Sequence, residues 1–144
     1  MAQVSFNTNV VSLLHGAGYD VQSLKSDLEK YFSNPSNVPW YIGLDAPLER
    51  PSQAIMADLN HIHMYDPSKC CKDKWTYADF PCNRREKQPY KRTSDTWLLY
   101  TRGMWDSEKY HVLGLVDPDA HAKCRSMTFV GTYIDAAEQF RENN

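Results

Sequence analysis

The runs Thr96-Trp97-Leu98-Leu99-Tyr100-Thr101 and Tyr110-His111-Val112-Leu113-Gly114-Leu115-Val116 are apolar, strand-length and separated by Arg102-Gly103 and acidic turn residues. This is the pattern of an antiparallel hairpin, and Asp117-Pro118 ends its second arm. Upstream, Leu59 to Tyr65 reads as another strand, with His61 and His63 on one face and Ile62 and Met64 on the other. Near the start, Val4, Phe6, Thr8 and Val10 alternate with polar residues, which predicts a first strand. Asp20 can then cap a helix in which Val21, Leu24, Leu28, Tyr31 and Phe32 recur at helical spacing until Pro35 stops it. Ser33 to Pro51 carries four prolines and reads as an irregular connection, followed by a short helical turn near Ser52 to Asp58. Met127, Val130, Ile134 and Ala137 predict a C-terminal helix despite Gly131. The order implies an α+β fold: a small, mostly antiparallel sheet with an N-terminal helical segment and a C-terminal helix.

The 144 residues suit one domain, 1–144, and the 42% hydrophobic content supplies a core. No apolar run approaches the roughly 20 residues of a membrane helix, and no basic-then-apolar leader is visible, so a soluble cytoplasmic protein with no membrane partner is expected. In that setting Cys70, Cys71, Cys82 and Cys124 are thiols or metal ligands rather than a disulfide framework.

The net charge of -2 argues at first sight against a nucleic-acid partner, but its distribution reverses that. Residues 66–93 form a basic, cysteine-bearing loop with few aliphatics, and Lys69 to Arg92 holds eight basic residues against three acidic ones. The local balance is +5 and the remainder of the chain is at -7. Trp75, Tyr77, Phe80 and Tyr90 interleave these cations and could stack on unpaired bases. The segment reads equally as a solvated surface loop.

Several constellations could do chemistry. His61 and His63, two apart on a strand face, suit proton transfer or metal binding, or are simply a hydrogen-bonded pair at a sheet edge. Cys70, Cys71 and Cys82 invite a zinc reading, but adjacent Cys70-Cys71 lack the usual ligand spacing, so no metal or other cofactor is assigned. His121 and Arg125 share a face if their segment is helical, and imidazole beside guanidinium is what phosphodiester cleavage needs. They could also be a solvated pair. In Arg92-Thr93-Ser94-Asp95, Arg92 could grip phosphate while Asp95 orients a base, or the four could form an ordinary turn. No P-loop, GxGxxG, GxSxG or HExxH occurs, which removes the common nucleotide, hydride and hydrolase readings.

A wider series runs from His61-Ile62-His63 to Arg92-Thr93-Ser94-Asp95, then to a strand ending in Tyr100 with Gly103 after it. It continues through Leu115-Val116-Asp117-Pro118, His121 with Arg125, Met127 and the closing Ala137-Glu138-Gln139-Phe140-Arg141. In order and spacing it resembles the YafO family of type II toxin–antitoxin toxins over roughly residues 20 to 141. The resemblance implies a compact RelE-like (microbial-RNase-like) fold. It also implies a ribosome-dependent mRNA endoribonuclease that inhibits translation, with mRNA, the ribosome and a cognate antitoxin as partners.

Carried onto this chain, it implies His121 as the proton-transfer group and Arg92 and Arg125 as phosphate clamps. His61 or His63 would then be a second proton carrier or sheet-face support, and Asp95 an orienting partner. Arg84, Arg85, Lys87 and Lys91 would face RNA from the basic loop. The chain departs from the family pattern in the cysteine-bearing insertion between Tyr65 and Arg84. Two other readings remain open: a non-catalytic RNA- or ribosome-binding module using Lys69 to Arg92, and a zinc-stabilised interaction protein.

Overall fold

The computed structural model describes residues 1–66, 75 and 88–144. Among the described residues five strands, β1 (Gln3–Phe6), β2 (Ile42–Pro47), β3 (Asn60–Met64), β4 (Trp97–Arg102) and β5 (Lys109–Val116), form one sheet in the order β1-β5-β4-β3-β2. Only β1, parallel to β5, departs from antiparallel pairing. Five helices cover the sheet among the described residues: α1 (Thr8–Gly16), α2 (Val21–Ser33), α3 (Ser52–Met56), α4 (Ala120–Lys123) and α5 (Met127–Asn143). The fold is α+β, with the predicted hairpin as β4 and β5. No described helix is long and apolar enough to cross a membrane.

Strand alternation divides the core into two layers. Ile62, Met64, Leu98, Tyr100 and Val112 pack against Val10 and Leu14 of α1 and Leu24, Leu28 and Tyr31 of α2. On the other face Leu59, Trp97, Leu99 and Leu113 meet Ala54 and Ala57 near α3 and Val130, Ile134 and Ala137 of α5. Asp20 caps α2 as its sequence predicts, its carboxylate accepting from the Gln22 and Ser23 N–H groups at 3.1 and 3.4 Å. Gly114 lets α5 approach: a Cβ there would lie 2.4 Å from the Tyr133 ring.

Two expectations are corrected. The alternation from Val4 to Val10 does not continue as a strand: β1 stops at Phe6, and Val10 begins the i, i+4 stripe with Leu14 that α1 buries. Positions four apart lie on one side of both a strand and a helix, so this short pattern is shared by the two periods. The proline-rich connection also contains a strand, β2, at the sheet edge, where Pro47 withholds no ladder donor that a further strand would need. Its register shifts between Ile42 and Asp45, which masks the alternation. Asp45, half-buried, accepts from Tyr31 Oη at 2.7 Å and Tyr100 Oη at 2.8 Å. Burial raises its pKa, and the two phenols oppose that rise.

The outer edge of β2 is met by Pro89–Lys91, a 3₁₀ turn. Leu44 N–H donates to the Arg92 carbonyl at 2.9 Å, an approach that Gly43 allows because a Cβ there would lie 2.4 Å from that oxygen. The buried Arg92 guanidinium donates through Nη1 to the carbonyls of Ile42 (3.0 Å), Pro39 (3.4 Å) and Trp40 (3.4 Å). Arg92→Met would leave those buried acceptors short of a charged donor, and we expect it to lower unfolding stability by about 2–4 kcal/mol. A urea midpoint equal to wild type would show that the guanidinium does not hold this edge.

Candidate active site

Antiparallel pairing brings the end of β3 beside the start of β4, with His63 directly opposite Trp97 and His61 opposite Leu99. His61 and His63 therefore share the α5-side face with Trp97, as their spacing predicts. The β5 partner of Trp97 is Val116, so the chain leaving β5 enters α4 at the same sheet end and delivers His121 there. Three imidazoles surround one indole: the Trp97 ring lies 4.3 Å from His61, 5.1 Å from His63 and 5.9 Å, edge-on, from His121, centroid to centroid.

The turn before β4 fixes these groups. Ser94 N–H donates to His63 Nδ1 at 2.8 Å, and the Ser94 carbonyl accepts from Trp97 Nε1 at 2.9 Å. Because His63 accepts at Nδ1, its neutral ring carries the proton on Nε2. Asp95 caps α4 from outside the helix: its carboxylate accepts from the His121 backbone N–H at 2.7 Å, and its carbonyl accepts from Ala120 N–H at 3.1 Å. Asp95 thus holds the backbone of His121 rather than its ring.

His61 and His63 are buried, whereas His121 and Arg125 face solvent. Burial, followed by the neighbouring His61, pushes the His63 pKa down to about 4. Burial likewise lowers that of His61, against a hydrogen bond with the Ala46 backbone. His61 Nδ1 is a buried side-chain atom with no hydrogen-bond partner among the described residues. Arg125 Nη2 lies 2.7 Å from His121 Nε2. A guanidinium has only donors, so His121 accepts at Nε2 and holds its proton at Nδ1. The arrangement can accept or release a proton at an exposed imidazole beside a fixed cation.

His61, His63, Asp95, His121 and Arg125 are thus together at one sheet end. Arg92 is not with them: the carbonyls before and within β2 draw its guanidinium inward, so it does not present a phosphate clamp to this cluster. Lys91 is exposed, its Nζ 5.7 Å from the centre of the Tyr90 ring. Arg84, Arg85, Lys87, Cys70, Cys71 and Cys82 lie outside the described residues. Cys124 is buried under α5, and that burial pushes its thiol up to about 11. No group of three or more His, Cys, Asp or Glu among the described residues could hold a metal ion. Sequence reading missed Trp97, which looks like one more apolar strand residue until the β3–β4 register sets it against His63.

The family model described as Toxin YafO, type II toxin-antitoxin system, matches residues 29–142. No curated protein and no solved structure matches the chain. The family match spans the sheet from β2 to β5 and every element of the histidine cluster, and the chain belongs to the YafO family of type II toxin–antitoxin toxins.

Proposed function

We propose that this toxin is a translation-dependent mRNA endoribonuclease and that the cluster around Trp97 is its active site. The observation that carries the reading is the exposed His121–Arg125 pair, 2.7 Å between Nε2 and Nη2, with the His121 backbone held by Asp95. Imidazole and guanidinium meet where a phosphodiester could reach both.

In this reading the scissile phosphate draws the Arg125 guanidinium to its non-bridging oxygens, which frees His121 Nε2. His121 takes the proton from the ribose 2′-OH, the O2′–P bond forms and the P–O5′ bond breaks. The leaving O5′ takes a proton from solvent and His121 returns its own to solvent, while His63, kept neutral by burial, has no acidic proton to give and supports the sheet face. The products are a 2′,3′-cyclic phosphate and a 5′-hydroxyl, and no oxidant or cofactor is consumed. A site with one exposed imidazole and one exposed guanidinium is sparse, which suits an enzyme whose substrate is positioned by the ribosome. Lys91 and the basic segment through Arg84, Arg85 and Lys87 would contact RNA or rRNA.

Primer extension on a defined mRNA, with and without translation, tests this directly. We expect cleavage only in the translating reaction, and a loss of about 10²–10⁴-fold for His121→Ala with an unchanged melting temperature. Cleavage at the wild-type rate in that variant would remove His121 from the mechanism. Association with ribosomes but no cleavage by the wild type would favour the non-catalytic binding module.

The buried histidines also set an acid limit. Below pH 6.5 the unfolded chain protonates His63, whereas the folded chain resists until about pH 4. The stabilisation is therefore complete above pH 6.5 and lost as pH falls through that window, up to about 3 kcal/mol. Chemical denaturation at pH 7 and pH 4.5 should show His63→Gln losing less stability on acidification than wild type. Equal losses would mean that His63 is not held neutral by the fold.

A further inference from the structure

A cleft of about 570 Å³ opens on the α1–α2 side of the sheet, opposite the histidines but at the same sheet end. Its walls carry the rings of Tyr19, Trp40, Tyr41 and Tyr65, with Trp40 set edge-on to Tyr65 at 5.2 Å and to Tyr41 at 5.8 Å. Every charged residue described in its lining is an aspartate: Asp20, Asp27, Asp66 and Asp117. Tyr41 Oη donates to Asp27 Oδ2 at 2.6 Å, which ties one aromatic wall to one carboxylate. Trp40 remains exposed at the rim.

Aromatic faces combined with carboxylates form a receptor for a guanidinium or ammonium group: the ring quadrupoles attract the cation and the carboxylates pair with it. Among the described residues the lining offers phosphate no cation, which favours a cationic occupant over RNA. A second depression of about 540 Å³ shares Gly18, Tyr19 and Asp20 with the first, so the concavity continues over the α1–α2 turn. That extent suits several residues of a polypeptide better than one small cation.

The family supplies the polypeptide, because a type II toxin is paired with a cognate antitoxin. We infer that this cleft is an antitoxin docking site, in which an arginine or lysine side chain of the antitoxin enters between the aromatic walls. The inference rests on family membership and not on the nuclease reading.

The position gives docking a consequence. Thr96 lies in the cleft wall between Asp95 and Trp97 of the histidine cluster, and its Oγ1 donates to Asp117 Oδ1 at 3.1 Å. Asp117 leads into α4 and His121. An antitoxin anchored here needs only to turn around the sheet end to cover His121.

The test uses full-length toxin and its purified cognate antitoxin. Asp20→Asn keeps the helix cap, since asparagine caps as well as aspartate, and Asp27→Asn keeps an acceptor for Tyr41, so the double variant removes charge with little change of shape. We expect the Asp20→Asn/Asp27→Asn protein to bind antitoxin at least about tenfold more weakly, with a flatter salt dependence, and Trp40→Ala to bind about tenfold more weakly. When expressed alone, each variant should arrest growth as wild type does, and co-expressed antitoxin should rescue growth less well. Wild-type affinity and salt slope in both variants would overturn the inference. So would loss of growth arrest in a folded variant expressed alone, because the cleft would then serve toxicity itself. Binding of L-argininamide that both variants weaken, with antitoxin affinity unchanged by them and no competition between the two, would assign the cleft to a free cation instead.

Discussion

Every side chain of β4 from Trp97 to Thr101 is buried, so this strand must be covered on both sheet faces, and the rest of the chain is arranged to do so. α1 and α2 close the face of Leu98 and Tyr100, and α5 closes the face of Trp97 and Leu99. Burial relaxes at the N-terminal end of β4, where Asp95 is exposed and the turn residues can reach across the sheet end. The histidine cluster sits at that boundary. It has a buried strand behind it and, at His121 and Arg125, solvent in front, an arrangement that orients side chains without sealing all of them from solvent.

The parts of the fold legible in the sequence are those where one period is unambiguous. The hairpin, the α2 stripe with its Asp20 cap and the alternation of His61 and His63 against Ile62 and Met64 depend on local pattern alone. β2 was not legible, because Gly43, Asp45 and Pro47 answer to long-range demands: room for the Arg92 carbonyl, two tyrosine hydroxyls and a sheet edge. α1 was hidden because Val10 satisfies two periods at once. The site divides in the same way. Residue types and spacing mark His61, His63 and His121, but the indole they share becomes visible only from the β3–β4 register. Tertiary contacts, which local pattern does not encode, also decide where Arg92 points.

The histidines differ by environment rather than by type. Burial keeps His61 and His63 in the neutral form, and the Ser94 N–H fixes the direction of the His63 ring by donating to its Nδ1. His121 is the one of the three at the surface, with the Arg125 cation against its lone pair. A buried neutral pair thus lies behind the exposed imidazole, with the Trp97 ring packed among all three.

Arg92 and Arg125 show how the same side chain is committed by its surroundings. Three backbone carbonyls of the β2 approach surround the Arg92 guanidinium; those of Pro39 and Trp40 also accept from Ile42 N–H and Trp75 Nε1, so moving the guanidinium to a phosphate takes the charged donor chiefly from the buried Ile42 carbonyl, a cost of about 1–3 kcal/mol. Arg125 gives up one hydrogen bond, to a histidine that water or substrate can replace at once. The free-energy difference favours Arg125 as the cation that responds to an incoming anion, and Arg92 as the one that keeps the sheet edge closed. A single sheet end thus presents two chemistries on its two faces: imidazole and guanidinium beyond Trp97, and carboxylates with aromatic rings beyond Thr96. The residues Asp95-Thr96-Trp97 run through both, so a partner held by the acidic face is already within reach of the basic one.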